Sequence, residues 1–167
     1  TYGIYASELK NITLKNCNVA DWRYGVYLNN ISNSTVSNGN FTSNQDDIRL
    51  VNSWYNNISE GYVDAIDYAI YLSNSSYNSI GRNRLSNSKV GLYFISNSVN
   101  NIAFNNILES FADYAIYLYL SSGNLFRDSN INSTSTNIHH YTYSGTVFLN
   151  VTLDKSKITV DAGVVHI

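Results

Sequence analysis

The chain has 167 residues, a net charge of −2, 13% charged side chains, no proline and no methionine. That balance excludes the broad basic footprint of a nucleic-acid-binding protein. No apolar run approaches the ~20 residues of a membrane-spanning helix, and a lone cysteine, Cys17, excludes an intrachain disulfide.

The first element is "YGIYA" at Tyr2. Versions of it return as "YGVYL" at Tyr24, "DDIRL" at Asp46, "YAIYL" at Tyr68, "VGLYF" at Val90 and "YAIYL" at Tyr114. The steps are 22, 22, 22, 22 and 24 residues. Repetition at such a period is the mark of a solenoid. The aliphatic residue of this first strand forms a column: Ile4, Val26, Ile48, Ile70, Leu92, Ile116, Ile138 and Val160. The second predicted strand of each repeat surrounds Leu14, Val36, Ile58, Ile80, Ile102, Phe126 and Phe148. The third surrounds Val19, Phe41, Val63, Leu85, Ile107, Ile131 and Leu153. Both extra residues of the long step are expected together in "LESFAD", between Ile107 and Ile116.

A turn is predicted between the second and third strands at Cys17, Gly39, Gly61, Asn83, Asn105, Ser129 and Val151. Gly and Asn tolerate left-handed backbone there, and inward Asn side chains such as Asn83 under Asn105 could form a hydrogen-bonded ladder. Asn is the commonest residue at 26 and Ser follows at 23, which suits tight turns between short strands. The leucine-rich repeat is the rival solenoid, since "LKNITLKNCNV" from Leu9 fits its consensus. Later repeats break that consensus with Ser53, Ser75, Asn56 and Asn78, and the rest of each repeat is strand-like. The reading is therefore all-β: a right-handed parallel β-helix with three short strands per rung, seven rungs and a partial eighth in "ITVDAGVVHI", as one domain over 1–167.

The stretch "VGLYFISNSVNNIAFNNILES" resembles the repeats of NosD-like and carbohydrate-binding or sugar-hydrolase β-helices. The resemblance runs over nearly the whole chain and implies the same fold. Its motif is structural, so it says little about activity. NosD-like resemblance also implies copper handling, but no Met, one Cys and three His are a poor supply of soft ligands. His139 and His140 alternate outward and inward, so neither a metal site nor a cofactor is expected.

Strand alternation points the neighbour of each core residue outward. That outer column reads Tyr5, Tyr27, Arg49, Tyr71, Tyr93, Tyr117 and His139, flanked by Tyr2, Tyr24, Tyr68 and Tyr114. Tyr offers an apolar ring and a polar edge, which suits a sugar or a protein partner. It also stiffens a sheet by cross-strand pairing. Arg49 could stack on Tyr27 or Tyr71. Arg23, Gln45, Asp67, Lys89 and Asp113 form a charged column expected to pin register.

Rung three departs most, with Asp46, Asp47, Asp64 and Asp67. Paired carboxylates could serve glycoside hydrolysis, while ion pairing with Arg23, Arg49 and Lys89 is the simpler role. Eight Asn-x-Ser/Thr sequons, at Asn11, Asn30, Asn33, Asn40, Asn57, Asn74, Asn132 and Asn150, suggest an extracellular or cell-surface protein. The chain opens in repeat phase without a signal peptide or a cap helix, as a segment of a longer chain or a subunit that stacks end to end would. The expected role is a non-catalytic structural module that binds glycan through its tyrosines or assembles into filaments. The alternative is a polysaccharide-active enzyme built on the four aspartates.

Overall fold

The computed structural model describes residues 1–141, 145–162 and 165–166. Its chain coils through three parallel sheets. The first sheet stacks Tyr2–Ser7, Tyr24–Asn29, Asp46–Val51, Tyr68–Ser73, Val90–Ile95, Tyr114–Tyr119, Thr136–Tyr141 and Ile158–Ala162. The second stacks eight strands from Thr13–Lys15 to Val165–His166, and the third stacks six from Asn18–Ala20 to Asn130–Asn132. The only helical element among the described residues is the 3-10 turn Lys155–Lys157. No helix among the described residues is long and apolar enough to cross a membrane. The architecture is the expected parallel β-helix of about seven 22-residue coils, and the leucine-rich alternative falls because each repeat carries three strands.

The core is a tube of like residues stacked rung over rung. Val26, Ile48, Ile70, Leu92, Ile116 and Ile138 are fully buried in one column. Phe94, Phe126 and Phe148 stack at centroid distances of 5.9 and 4.8 Å. A short coil cannot bury its own apolar face, so each rung depends on its neighbours.

The corner between the first and second sheets is held by two side-chain ladders inside the tube. Oδ1 of Asn78, Asn101 and Asn124 accepts from the backbone N–H of Asn56, Asn78 and Asn101 at 2.8–2.9 Å. Their Nδ2 groups donate to Ser53, Ser75 and Ser98 carbonyls. Ser53, Ser75, Ser98 and Ser121 form a parallel hydroxyl ladder. The residues that break the leucine-rich consensus are thus the ones that satisfy buried backbone groups.

Three register expectations are corrected. Ile80 pairs with Ala103 and Leu85 with Leu108, while Leu92 pairs with Ile116. The two extra residues are therefore separate: one lies at Ser96–Asn97, both at positive φ, and one lies within Ser110–Asp113. Ala103 and Leu108 fill the core, and Ile102 and Ile107 are 41% and 45% exposed. The ladder partner of Asn83 is consequently Asn106, at 2.9 Å, not Asn105. In the last rung Ile158, not Val160, lies opposite Ile138.

The left-handed turn residue also sits one place earlier than expected in six rungs, at Asn16, Asn38, Glu60, Arg82, Asp128 and Asn150, and at the expected place in one, at Asn105. Gly39 is required for space instead, because a Cβ there would lie 2.2 Å from the Phe41 ring.

Candidate functional site

The first strand of each rung turns two consecutive residues inward at its corner. In rung three these are Asp47 and Ile48, both fully buried. The residues on either side, such as Tyr24 and Tyr27 or Tyr68 and Tyr71, then share the outer face and touch, with ring centroids 5.3 and 5.6 Å apart. The outer face is thus a double file of rings, wider than the expected single column.

The rings run along the axis in two blocks. Tyr2, Tyr5, Tyr24 and Tyr27 make the first, with centroid separations of 4.9–5.8 Å. Tyr68, Tyr71, Tyr93, Tyr114 and Tyr117 make the second, continuing to His139 at 4.9 Å from Tyr117. Tyr71 is 7% exposed, so it is covered rather than presented, beneath the Arg49 guanidinium at 3.7 Å. Burial, then the neighbouring hydroxyls, push the Tyr93 phenol up to about 12. Tyr27, Tyr68 and Tyr117 move the same way. These hydroxyls stay protonated and can donate hydrogen bonds.

Rung three replaces both rings with an ion pair. Arg49 Nη1 lies 2.6 Å from Asp46 Oδ2, and the guanidinium also faces Tyr24 at 5.3 Å. Burial raises the Asp46 pKa in spite of that pairing. Arg49 Nε is buried without a hydrogen-bond partner.

Beside the second block is a groove of about 380 Å³, lined by Tyr68, Tyr93, Tyr114, Tyr117, Val90 and the charged trio Asp67, Lys89 and Asp113. Lys89 Nζ bonds Asp67, which also accepts from Gln45. The Lys89 bond holds the Asp67 carboxyl below the usual range. The charged column expected to pin register therefore also forms the polar wall of a groove.

The four aspartates form two pairs, not one cluster. Asp46 and Asp67 share the outer face, close enough for each charge to oppose the other. Asp47 points inward and accepts from Asn44 Nδ2 at 2.7 Å and the Asp64 N–H at 2.8 Å. Burial pushes its pKa to about 7. The Asp64 carboxylate accepts from Tyr62 and Asn87. Seven of the eight sequon asparagines are exposed, and Asn57 is half-buried. Asn11, Asn30, Asn33, Asn74 and Asn150 have positive φ, so the backbone alone accounts for Asn at those five. Sequence reasoning missed Trp54, Tyr55 and Tyr77, which share an exposed hollow on another corner. The available signal was two rings in a column otherwise filled by Asn and Gly.

Comparison with known proteins places this geometry. No curated protein matches the chain. Among solved structures, a double mutant of the periplasmic alginate epimerase AlgG superposes with a TM-score of 0.81 at 12% identity, covering 99% of this chain and 48% of that one. DFA-IIIase from Arthrobacter chlorophenolicus A6, without its lid, gives 0.67 at 11%, covering 96% and 54%. The A-module of the Azotobacter vinelandii mannuronan C-5 epimerase AlgE4 gives 0.51 at 10%, covering 95% and 56%. The chain spans about half the length of these structures, and the likeness is one of fold. The family model described as "Periplasmic copper-binding protein (NosD)" matches residues 1–112, and the chain belongs to the NosD family.

Proposed function

We propose that this chain is the glycan-holding segment of a cell-envelope or cell-surface protein, and that it binds polysaccharide without turning it over. The carrying observation is the double file of tyrosines on the first sheet, joined to the groove of Asp67, Lys89 and Asp113. Flat rings match the C–H faces of pyranoses, and the alternating carboxylates and ammonium match their hydroxyls. Rungs ~4.8 Å apart give a repeating surface for a repeating polymer. The epimerase activities of AlgG and AlgE4 support a polysaccharide as ligand, and the periplasmic location of NosD and AlgG supports the envelope.

Copper does not enter this proposal. Among the described residues no three His, Cys, Asp or Glu side chains gather. His139 Nε2 lies 2.7 Å from Asp161, His140 Nε2 faces Thr146, and Cys17 Sγ is directed at the Lys15 carbonyl. A soft ion would find no donor set on these side chains.

Affinity electrophoresis through alginate and through a neutral β-glucan tests the reading. Retardation should fall at least about tenfold in Tyr93→Ala and Tyr117→Ala, the scale of an interface hot spot. It should persist in Arg84→Ala, on the third sheet. Retardation unchanged in both tyrosine variants refutes the face as the site. The enzymatic alternative is favoured by the structural neighbours, which are polysaccharide epimerases and DFA-IIIase. Release of reducing ends by this chain, lost in Asp67→Asn, would replace binding with catalysis. End-to-end assembly through the open sheet ends is the competing structural role, and a monomer that is stable to dilution removes it.

A further inference from the structure

We propose that the corner between the first and second sheets carries a second carbohydrate site, built on Trp54, Tyr55 and Tyr77 and selective for uncharged sugars. It lies apart from the tyrosine face.

The first observation is a backbone one. One turn position per rung is held at positive φ throughout: Asn11, Asn33, Tyr55, Tyr77, Asn100, Gly123 and Gly145. Asn and Gly tolerate that geometry, whereas a bulky aromatic does not adopt it without cost. Two successive rungs nevertheless place Tyr there, each at φ 59°. Burial does not offset the cost, since Tyr55 is 56% exposed and Tyr77 50%. Strain kept in exposed residues is a pointer to function.

The second observation is the shape those rings make. Tyr55 and Tyr77 stack at 5.2 Å with planes 14° apart. With Trp54, Asn74 and Ser76 they enclose a hollow of about 380 Å³, within the ~300–1,000 Å³ usual for ligand sites. No charged side chain lines it. Rings with an amide and a hydroxyl at the edge match the apolar face and hydroxyl rim of a neutral pyranose. Trp54 is also a wall of an adjoining hollow with Glu8, Leu9, Lys10, Asn30 and Ser32, whose one carboxylate and one ammonium leave it without net charge. The backbone bridges Lys10 to Ser32 and Ser32 to Trp54, which holds both hollows in register. The strip spans four rungs, roughly 14 Å at the spacing of parallel strands. An oligosaccharide, rather than a single sugar, fits that length.

The test uses the full chain carrying Trp22→Phe, so that Trp54 is the only indole. Cellohexaose is the probe, and tryptophan emission and calorimetry are the readouts. A saturable response at millimolar cellohexaose or below is expected, and it should weaken at least tenfold in Tyr77→Asn. Asn is native at this position in other rungs, so Tyr77→Asn should melt at the same temperature or higher. The response should be unchanged in Arg84→Ala, on the third sheet and outside both faces. Four results overturn the proposal: no saturable response, one that survives Tyr77→Asn, one abolished by Arg84→Ala, or a lower melting temperature for Tyr77→Asn.

Discussion

Asn78→Ala probes what holds the rungs together. Asn78 is 1% exposed and sits in the middle of its ladder. Its Oδ1 accepts from Asn56 N at 2.9 Å and Asn56 Nδ2 at 3.1 Å, and its Nδ2 donates to the Ser53 carbonyl at 3.0 Å and Asn101 Oδ1 at 3.1 Å. Truncation leaves the Asn56 N–H and the Ser53 carbonyl buried without these partners. Asn56 Nδ2 keeps Ile31 O, and Asn101 Oδ1 keeps the Asn78 N–H. Two orphaned backbone groups at about 1–3 kcal/mol each predict a loss of roughly 2–6 kcal/mol. The control is Asn105→Ala, at an exposed residue whose φ is 53°. It should cost only the left-handed backbone penalty, roughly 1–2 kcal/mol. Urea unfolding followed by far-UV circular dichroism measures both. A cost for Asn78→Ala no larger than that of Asn105→Ala would refute the ladder as a structural support.

Asp47 makes stability depend on pH. Its folded pKa of about 7 lies above the ordinary carboxylate value, so between those pH values the folded chain binds more protons than the unfolded one. Stability is then full below about pH 4 and falls as pH rises to 7, by up to roughly 4 kcal/mol. Asp47→Asn should flatten that slope in urea titrations, and an unchanged slope would assign the dependence elsewhere. The corrected register predicts that Ile102→Thr stays within about 0.5 kcal/mol, while Ala103→Leu costs roughly 1–3 kcal/mol by overpacking. The reverse order in thermal melts would restore the 22-residue register. Arg49→Ala strands the buried Asp46 carboxylate and should cost roughly 1–3 kcal/mol, below the ~3–5 of a fully buried pair because Arg49 is partly exposed. Asp46→Tyr with Arg49→Tyr continues the ring file and should be neutral or stabilising. A double variant less stable than the single one would show that the pair itself holds the sheet.

The fold was legible because the buried columns repeat one kind of residue. Ile48, Ile70 and Leu92 announce the period without any structure. The register broke where a small residue took the core. Ala103 carries little hydrophobic signal, and Ile102, exactly one period after Ile80, keeps false phase beside it. Gly39 misled for a related reason: glycine marks either left-handed backbone or lack of room, and only the position of the Phe41 ring tells which. On the outer face the tyrosines were visible, but their pairing was not. Alternation gives one outward residue in two, and the corner at Asp47 and Ile48 breaks that alternation to bring Tyr68 against Tyr71. The four aspartates looked like one cluster because they are close in sequence. The same corner turns Asp47 inward, away from Asp46.

Inner and outer columns are constrained by different physics, and rung three shows the difference. Inside the tube every rung meets nearly the same surroundings, so the ladders repeat Asn, Ser and Ile whatever the chain does. A TM-score of 0.81 at 12% identity with AlgG is consistent with that: the coil geometry persists through almost complete replacement of side chains. Information specific to this chain must then lie where a column departs from its own repeat outside the tube. Rung three does so at both outer positions, exchanging two rings for Asp46 and Arg49. The exchange is costly, because it desolvates a carboxylate and leaves Arg49 Nε without a partner where two rings would have stacked. The same rung adds Trp54 and the left-handed Tyr55 on the next corner. An ion pair where rings would stack and an exposed ring where Asn would suffice are both poor choices for a scaffold. They fall in one coil, rung three, where the outer columns depart most from their own repeat.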